Sequence, residues 1–94
     1  ATSLGARSVA RGALELAGRR PVISFVAPDG AAVSACSRFL DDHRVLVEPA
    51  CGISLAALYG ESTLPESART VLVIVCGGIG ISSRKLRELE KTKF

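Results

Sequence analysis

The 94-residue chain has no methionine and no tryptophan, one tyrosine, three phenylalanines and one histidine. With so few aromatics it offers no stacking platform of the kind that interleaves with basic residues to hold nucleic acid. Cysteine is also scarce: Cys36, Cys51 and Cys76 are odd in number and widely spaced. No CxxC or Cys/His pairing occurs, which argues against a zinc site. Free thiols point to a reducing compartment, so a cytoplasmic location is expected. His43 stands alone beside Asp41, Asp42 and Arg44 and reads as a solvated surface residue. No apolar run approaches the roughly 18 residues of a membrane span, and no signal-peptide pattern is visible. The chain opens without methionine, mid-pattern, and an upstream targeting segment stays open.

What the chain does have is apolar mass. Hydrophobic residues make up 48% of it. A chain of this size buries only about 60–65% of its unfolded surface. The load fits a single segment, residues 1–94, whose faces other structure covers, although a compact α/β unit would also carry it. The net charge of +3 is modest. Arg84, Lys85, Arg87, Lys91 and Lys93 cluster against Glu88 and Glu90, as on a solvated helix face. Neither nucleic acid nor membrane is an expected partner.

Strand-like and helix-like patterns alternate, which predicts an α/β fold around a parallel sheet. A short strand is expected near Ala6 to Val9. Residues 11–17 suit a helix ending before Gly18. Val22 to Val26 suits a strand between Pro21 and Pro28. Asp29 is a candidate N-cap for a helix from Gly30 to Asp42, with Val33, Cys36, Ser37 and Leu40 on one face. Val45 to Val47 suits a short strand. Pro49 suits the first turn of a helix running to Tyr59 and stopped by Gly60. That helix is apolar nearly all round, which predicts burial on several sides. Residues 61–69 form a polar loop. Residues 71–75, Val-Leu-Val-Ile-Val, suit a strand buried on both faces. Ser82 is then the N-cap of an amphipathic helix to Glu90, with Leu86 and Leu89 inward.

The strand end at Cys76, Gly77, Gly78 and Gly80 is the most informative stretch. In open α/β sheets, ligands bind outside the carboxyl ends of the strands. Glycines there let backbone approach a ligand, and Cys76 adds a thiol. Taken alone, the stretch fits equally well a small core cysteine followed by an ordinary glycine turn. Glu48, entering an apolar helix, is costly to bury without partners. It fits either a site role or simple helix N-terminal electrostatics. Cys36 and Cys51 read as packing residues.

Together, VLVEPACGxxLAALY at 45–59 and VxVIVCGGxxIS at 71–82 resemble the C-terminal third of the L-serine dehydratases. These are pyridoxal-phosphate enzymes of the fold-type II (tryptophan synthase β-like) group. SLGARSVARGALEL at 3–16 resembles the same family, so the likeness runs from Ala1 to about Glu90. It implies the C-terminal part of a large cofactor-binding domain. The activity it implies is deaminating β-elimination from a small amino acid, serine to pyruvate or threonine to 2-oxobutanoate.

The resemblance also places residues. Cys76 would meet the pyridine nitrogen of the cofactor, where a neutral thiol leaves the ring a weaker electron sink than an aspartate would. Gly77, Glu48 and Gly5 would lie beside the cofactor. The carbonyls of Leu4 and Ala6 would help bind a monovalent cation, potassium, although a plain loop into a strand fits Ser3 to Ala6 as well. The family's Schiff-base lysine and phosphate-binding glycine bowl lie upstream of these motifs. Lys85, Lys91 and Lys93 all fall in or after the last helix, where no desolvated pocket is in prospect. The 94 residues are thus expected to be inactive alone, and to need the remainder of the enzyme chain and, when complete, a homodimer. One departure stands out: Ile79 and Gly80 occupy places where the family commonly has a polar residue, often asparagine. The competing expectation is a non-catalytic truncated paralogue that acts as an interaction module.

Overall fold

The computed structural model describes residues 1–60 and 64–94. Among these residues, four α-helices follow a 3-10 turn at Thr2–Leu4: α1 (Arg11–Ala17), α2 (Asp29–His43), α3 (Pro49–Tyr59) and α4 (Ser83–Glu90). Among the described residues there is no strand. The expected parallel sheet is therefore not formed within this chain. The segments 21–28, 45–48 and 70–76 run without helix or turn, and none pairs into a ladder with another. The physical reason is that a strand exists only with a neighbour to complete its hydrogen bonds. The expected loop 61–69 lies partly outside the described residues, which omit 61–63.

The core is small and lies between α2 and α3. Ala32, Val33, Ala35 and Cys36 of α2 face Cys51, Leu55 and Ala56 of α3, and Val47 and Leu86 close the ends. The two helices touch at Gly52, where a Cβ would stand 2.2 Å from the Ala32 carbonyl oxygen. At the outer end Tyr59 Oη donates to Asp42 Oδ2 at 3.1 Å, and the Arg38 guanidinium lies 4.3 Å from the Tyr59 ring centroid. Partial burial, and then the Asp42 carboxylate acceptor, hold the Tyr59 phenol above its ordinary pKa.

Helix ends follow local chemistry. Pro49 opens α3 with its φ preset for a helix, and Gly60 follows its last turn. Ser82 caps α4, its hydroxyl accepting from Lys85 N at 3.1 Å. Leu86 is buried and Leu89 packs on the core, as the amphipathic pattern predicts. Asp29 is not the N-cap of α2. Pro28 holds that place, and Asp29 is the first helical residue, favourable to the helix dipole without capping an amide. α2 ends at Arg44, a non-glycine residue with φ 60° whose N–H reaches the Leu40 carbonyl.

α3, expected to be buried on several sides, is so: apart from Ser54 and Leu58 its residues are buried or half-buried. Ser54 and Leu58 of α3 are exposed, on a shallow groove walled by the extended residues 71–74. Those extended residues alternate: Val73 and Val75 pack on the core, while Leu72 and Ile74 face out. Burial on both faces is thus not met inside this chain. α1 has no buried residue and leaves Leu14 and Leu16 open.

Candidate functional site

The two motifs meet. Glu48 ends the extended stretch 45–48 and is the N-cap of α3. Its backbone N–H donates to the Gly77 carbonyl at 3.1 Å, which ties the start of α3 to the end of the 71–76 segment. Gly77 has φ 137°, a conformation that side chains rarely tolerate. Gly78 is required for space instead: a Cβ there would lie 2.2 Å from the Leu46 carbonyl oxygen. The loop can cross the 45–48 segment only as bare backbone.

Cys76 is exposed, on the same open face as Leu72 and Ile74. Its backbone N–H is held from inside by Cys51 Sγ at 3.3 Å, and the Cys51 thiol in turn donates to the Gly77 carbonyl at 3.6 Å. Cys51, read from sequence as packing alone, therefore also bonds the loop. The only available signal was its place one turn into a helix that follows a candidate site residue. Cys36 lies deeper, against Gly52 of α3, whose backbone bonds to its thiol. Burial, with the neighbouring Cys51 thiol, pushes its pKa from 9.0 up to about 11, so it stays a neutral core thiol at neutral pH.

Glu48 is half-buried and faces a cavity of about 300 Å³ that it shares with Thr2, Ser3, Gly80 and Lys85. Gly80, the departure from the family pattern, has a structural counterpart: a Cβ there would stand 2.7 Å from Glu48 Oε2. The missing side chain leaves the room that the carboxylate takes up. Lys85 reaches this rim, but its side chain is 60% exposed and its Nζ sits 3.5 Å from Glu88 Oε2. It is in no desolvated pocket. The 3-10 turn Thr2–Leu4 packs against α3, and Gly5 and Ala6 follow it. The Leu4 carbonyl accepts from Ala6 N at 3.0 Å, so a cation at this oxygen would use its second lone pair. Among the described residues, no group of three or more His, Cys, Asp or Glu is placed to hold a metal ion. No helix there is long and apolar enough to cross a membrane.

The structure thus brings the backbones of Glu48, Cys76 and Gly77 together, while the Glu48 side chain faces the cavity beside the N-terminal turn and Cys76 is exposed. An open thiol at the end of an extended segment, next to a glycine turn with anchored backbone, suits the edge of an aromatic nitrogen heterocycle carried by other parts of a protein. In that respect the residues present fit pyridoxal phosphate at its ring nitrogen, while the lysines, Lys85, Lys91 and Lys93, are all exposed and none is placed to meet its aldehyde.

No family model matches the chain. Individual proteins do, and they fall in one class of enzyme names. The chain is 41% identical over 99 residues to the L-serine dehydratase/L-threonine deaminase of Homo sapiens. It is 42% identical over 93 residues to the L-serine dehydratase of Dictyostelium discoideum. Within that class it is more similar to a named subgroup: 51% identical over 98 residues to the serine dehydratase-like protein of Mus musculus. These alignments cover 96–97% of the chain but 27–30% of the relatives' lengths. The likeness read from the two motifs therefore holds over nearly the whole chain, which spans less than a third of the curated proteins it matches.

Proposed function

We propose that these 94 residues are the C-terminal portion of a pyridoxal-phosphate-dependent L-serine/L-threonine dehydratase, part of its large cofactor-binding domain. The observation that carries the reading is the Glu48 N–H to Gly77 carbonyl bond, which sets the VEPACG and VCGG motifs at one site with the Cys76 thiol open beside them. The reaction is deaminating β-elimination, giving pyruvate from serine and 2-oxobutanoate from threonine, each with ammonia. Bound pyridoxal phosphate supplies the electron sink this chemistry needs. The Cys76 side chain would meet the ring nitrogen, where a carboxylate would instead favour a protonated ring. Gly77, fixed by φ and by its carbonyl, keeps side chains out of the ring's path. Glu48 lines the approach, and the Gly5 backbone lies beside it. The Leu4 and Ala6 carbonyls offer hard oxygens to a potassium ion. The lysine that takes the α-proton belongs to the remainder of the chain. The sheet of an α/β fold-type II domain forms when that remainder pairs with the extended segments 22–26, 45–47 and 71–75. The complete protein is a cytoplasmic homodimer.

The test is the full-length protein with Cys76 varied. Cys76→Ser keeps the fold and a substantial part of the turnover of L-serine, because a hydroxyl also meets an unprotonated nitrogen. Cys76→Asp does worse, since a carboxylate favours a protonated ring and adds charge at the site. Pyruvate release and the cofactor's absorbance band are read together. Aspartate matching wild type while serine abolishes activity with the fold intact would overturn the assignment of Cys76. A wild-type protein that forms no pyruvate above the free-cofactor background would favour the interaction module instead.

A further inference from the structure

We infer that Cys51 is a positioning residue that sets the Cys76–Gly77 loop at the cofactor. The inference rests on the function proposed above. Cys51 lies in the first turn of α3, is 4% exposed, and uses both faces of its thiol. The sulfur accepts from Cys76 N at 3.3 Å and the S–H donates to the Gly77 carbonyl at 3.6 Å. The same carbonyl accepts from Glu48 N at 3.1 Å. Two groups at the start of α3 therefore hold three contacts on two consecutive loop residues. This matters because Gly77, at φ 137°, has no side chain of its own to restrain it. Where α3 starts thus determines where the Cys76 thiol points.

Sulfur hydrogen bonds are weak one by one. The cost lies in losing them: the partly buried Cys76 N–H would lose its acceptor, and the Gly77 carbonyl would be held by Glu48 N–H alone. An apolar replacement fills the same volume and cannot meet either group. Serine can meet both, on a shorter bond. Cys36 provides the contrast: it is fully buried in the same core, and its thiol bonds to Gly52 of α3, whereas the bonds to Cys76 N and the Gly77 carbonyl are made by Cys51.

The experiment uses the full-length protein, stripped of cofactor and titrated with pyridoxal phosphate, as wild type, Cys51→Ala, Cys51→Ser and Cys36→Ala. Three quantities are read: cofactor dissociation constant, position of the cofactor absorbance band, and hydrogen exchange at the Cys76 amide. Cys51→Ala should raise the dissociation constant about fivefold, shift the band and speed exchange at Cys76. Cys51→Ser should restore most of all three. Cys36→Ala should lower the melting temperature and leave the three readouts at wild-type values. Cys51→Ala with unchanged affinity, band and exchange overturns the inference alone, as does Cys36→Ala reproducing its effects. A wild type that binds no pyridoxal phosphate overturns the function proposed above and this inference with it.

Discussion

Among the single residues, Cys36 gives the clearest pH signature. Its folded pKa of about 11 lies above the 9.0 of an ordinary thiol, because burial disfavours the thiolate. The folded state therefore holds its proton more tightly than the unfolded state. This contribution is fully present below pH 9.0 and is lost as pH rises toward about 11. Two pKa units correspond to about 3 kcal/mol, an upper figure for a thiol coupled to Cys51. We expect wild-type stability to fall between pH 8.5 and 11 in urea melts. Cys36→Ala, less stable from the start, should show a shallower slope over the same range. Equal slopes for the two would show that Cys36 does not titrate against the fold. Tyr59, also raised, adds a smaller loss of the same sign and is common to both proteins.

The helices follow their local signals closely. The bounds 11–17 and 49–59 and the Ser82 cap of α4 were legible from proline, glycine and serine placement. The family likeness also set the VEPACG and VCGG motifs beside each other, and the backbones of Glu48 and Gly77 are bonded. Asp29 misled because an acidic residue favours the first turn as well as the cap, and Pro28 took the cap. Gly52 was not legible at all, since nothing in the local sequence says that its missing Cβ faces the Ala32 carbonyl. Cys51 was half legible: burial could be read, its partners 25 and 26 residues away could not. Gly52 also yields a prediction at this scale. Gly52→Ala gains about 1 kcal/mol of helix propensity. Against that, a Cβ 2.2 Å from a backbone oxygen forces α2 and α3 apart, which costs about 1–3 kcal/mol in a packed core and more where backbone must move. The clash wins. Amide exchange in both helices should accelerate, whereas Gly12→Ala, with nothing within 4 Å, should leave the α2–α3 core unchanged. Undiminished protection in Gly52→Ala would show that the helices do not meet there.

The whole molecule is larger than a self-sufficient domain of its length. Its radius of gyration is 14.3 Å, against about 12 Å for a compact chain of this size. The excess comes from apolar segments with nothing on them. Val26 is 89% exposed, Leu72 84% and Ile23 78%. Helix α3 at 49–59 is apolar nearly all round, yet it is not where the open surface lies. In the structure α2 covers most of that helix, and the open surface lies on the extended segments instead. Their alternation carries the argument. Val73 and Val75 already fill the core side, so a second layer must meet Leu72 and Ile74, and unpaired backbone on the flanks asks for neighbouring strands. A row of unpaired donors and acceptors beside apolar side chains is also a template for self-association. We therefore expect the isolated 94 residues to bind a hydrophobic dye, to associate as concentration rises, and to exchange amides at 21–28 and 70–75 within the dead time of the measurement. The α2–α3 amides should be the slowest in the chain. In the full-length protein the same extended segments should become protected and dye binding should vanish. A monomeric isolated chain that unfolds cooperatively, binds no dye and protects residues 70–75 would show that the chain covers its own faces, and the case for a missing partner layer would fall.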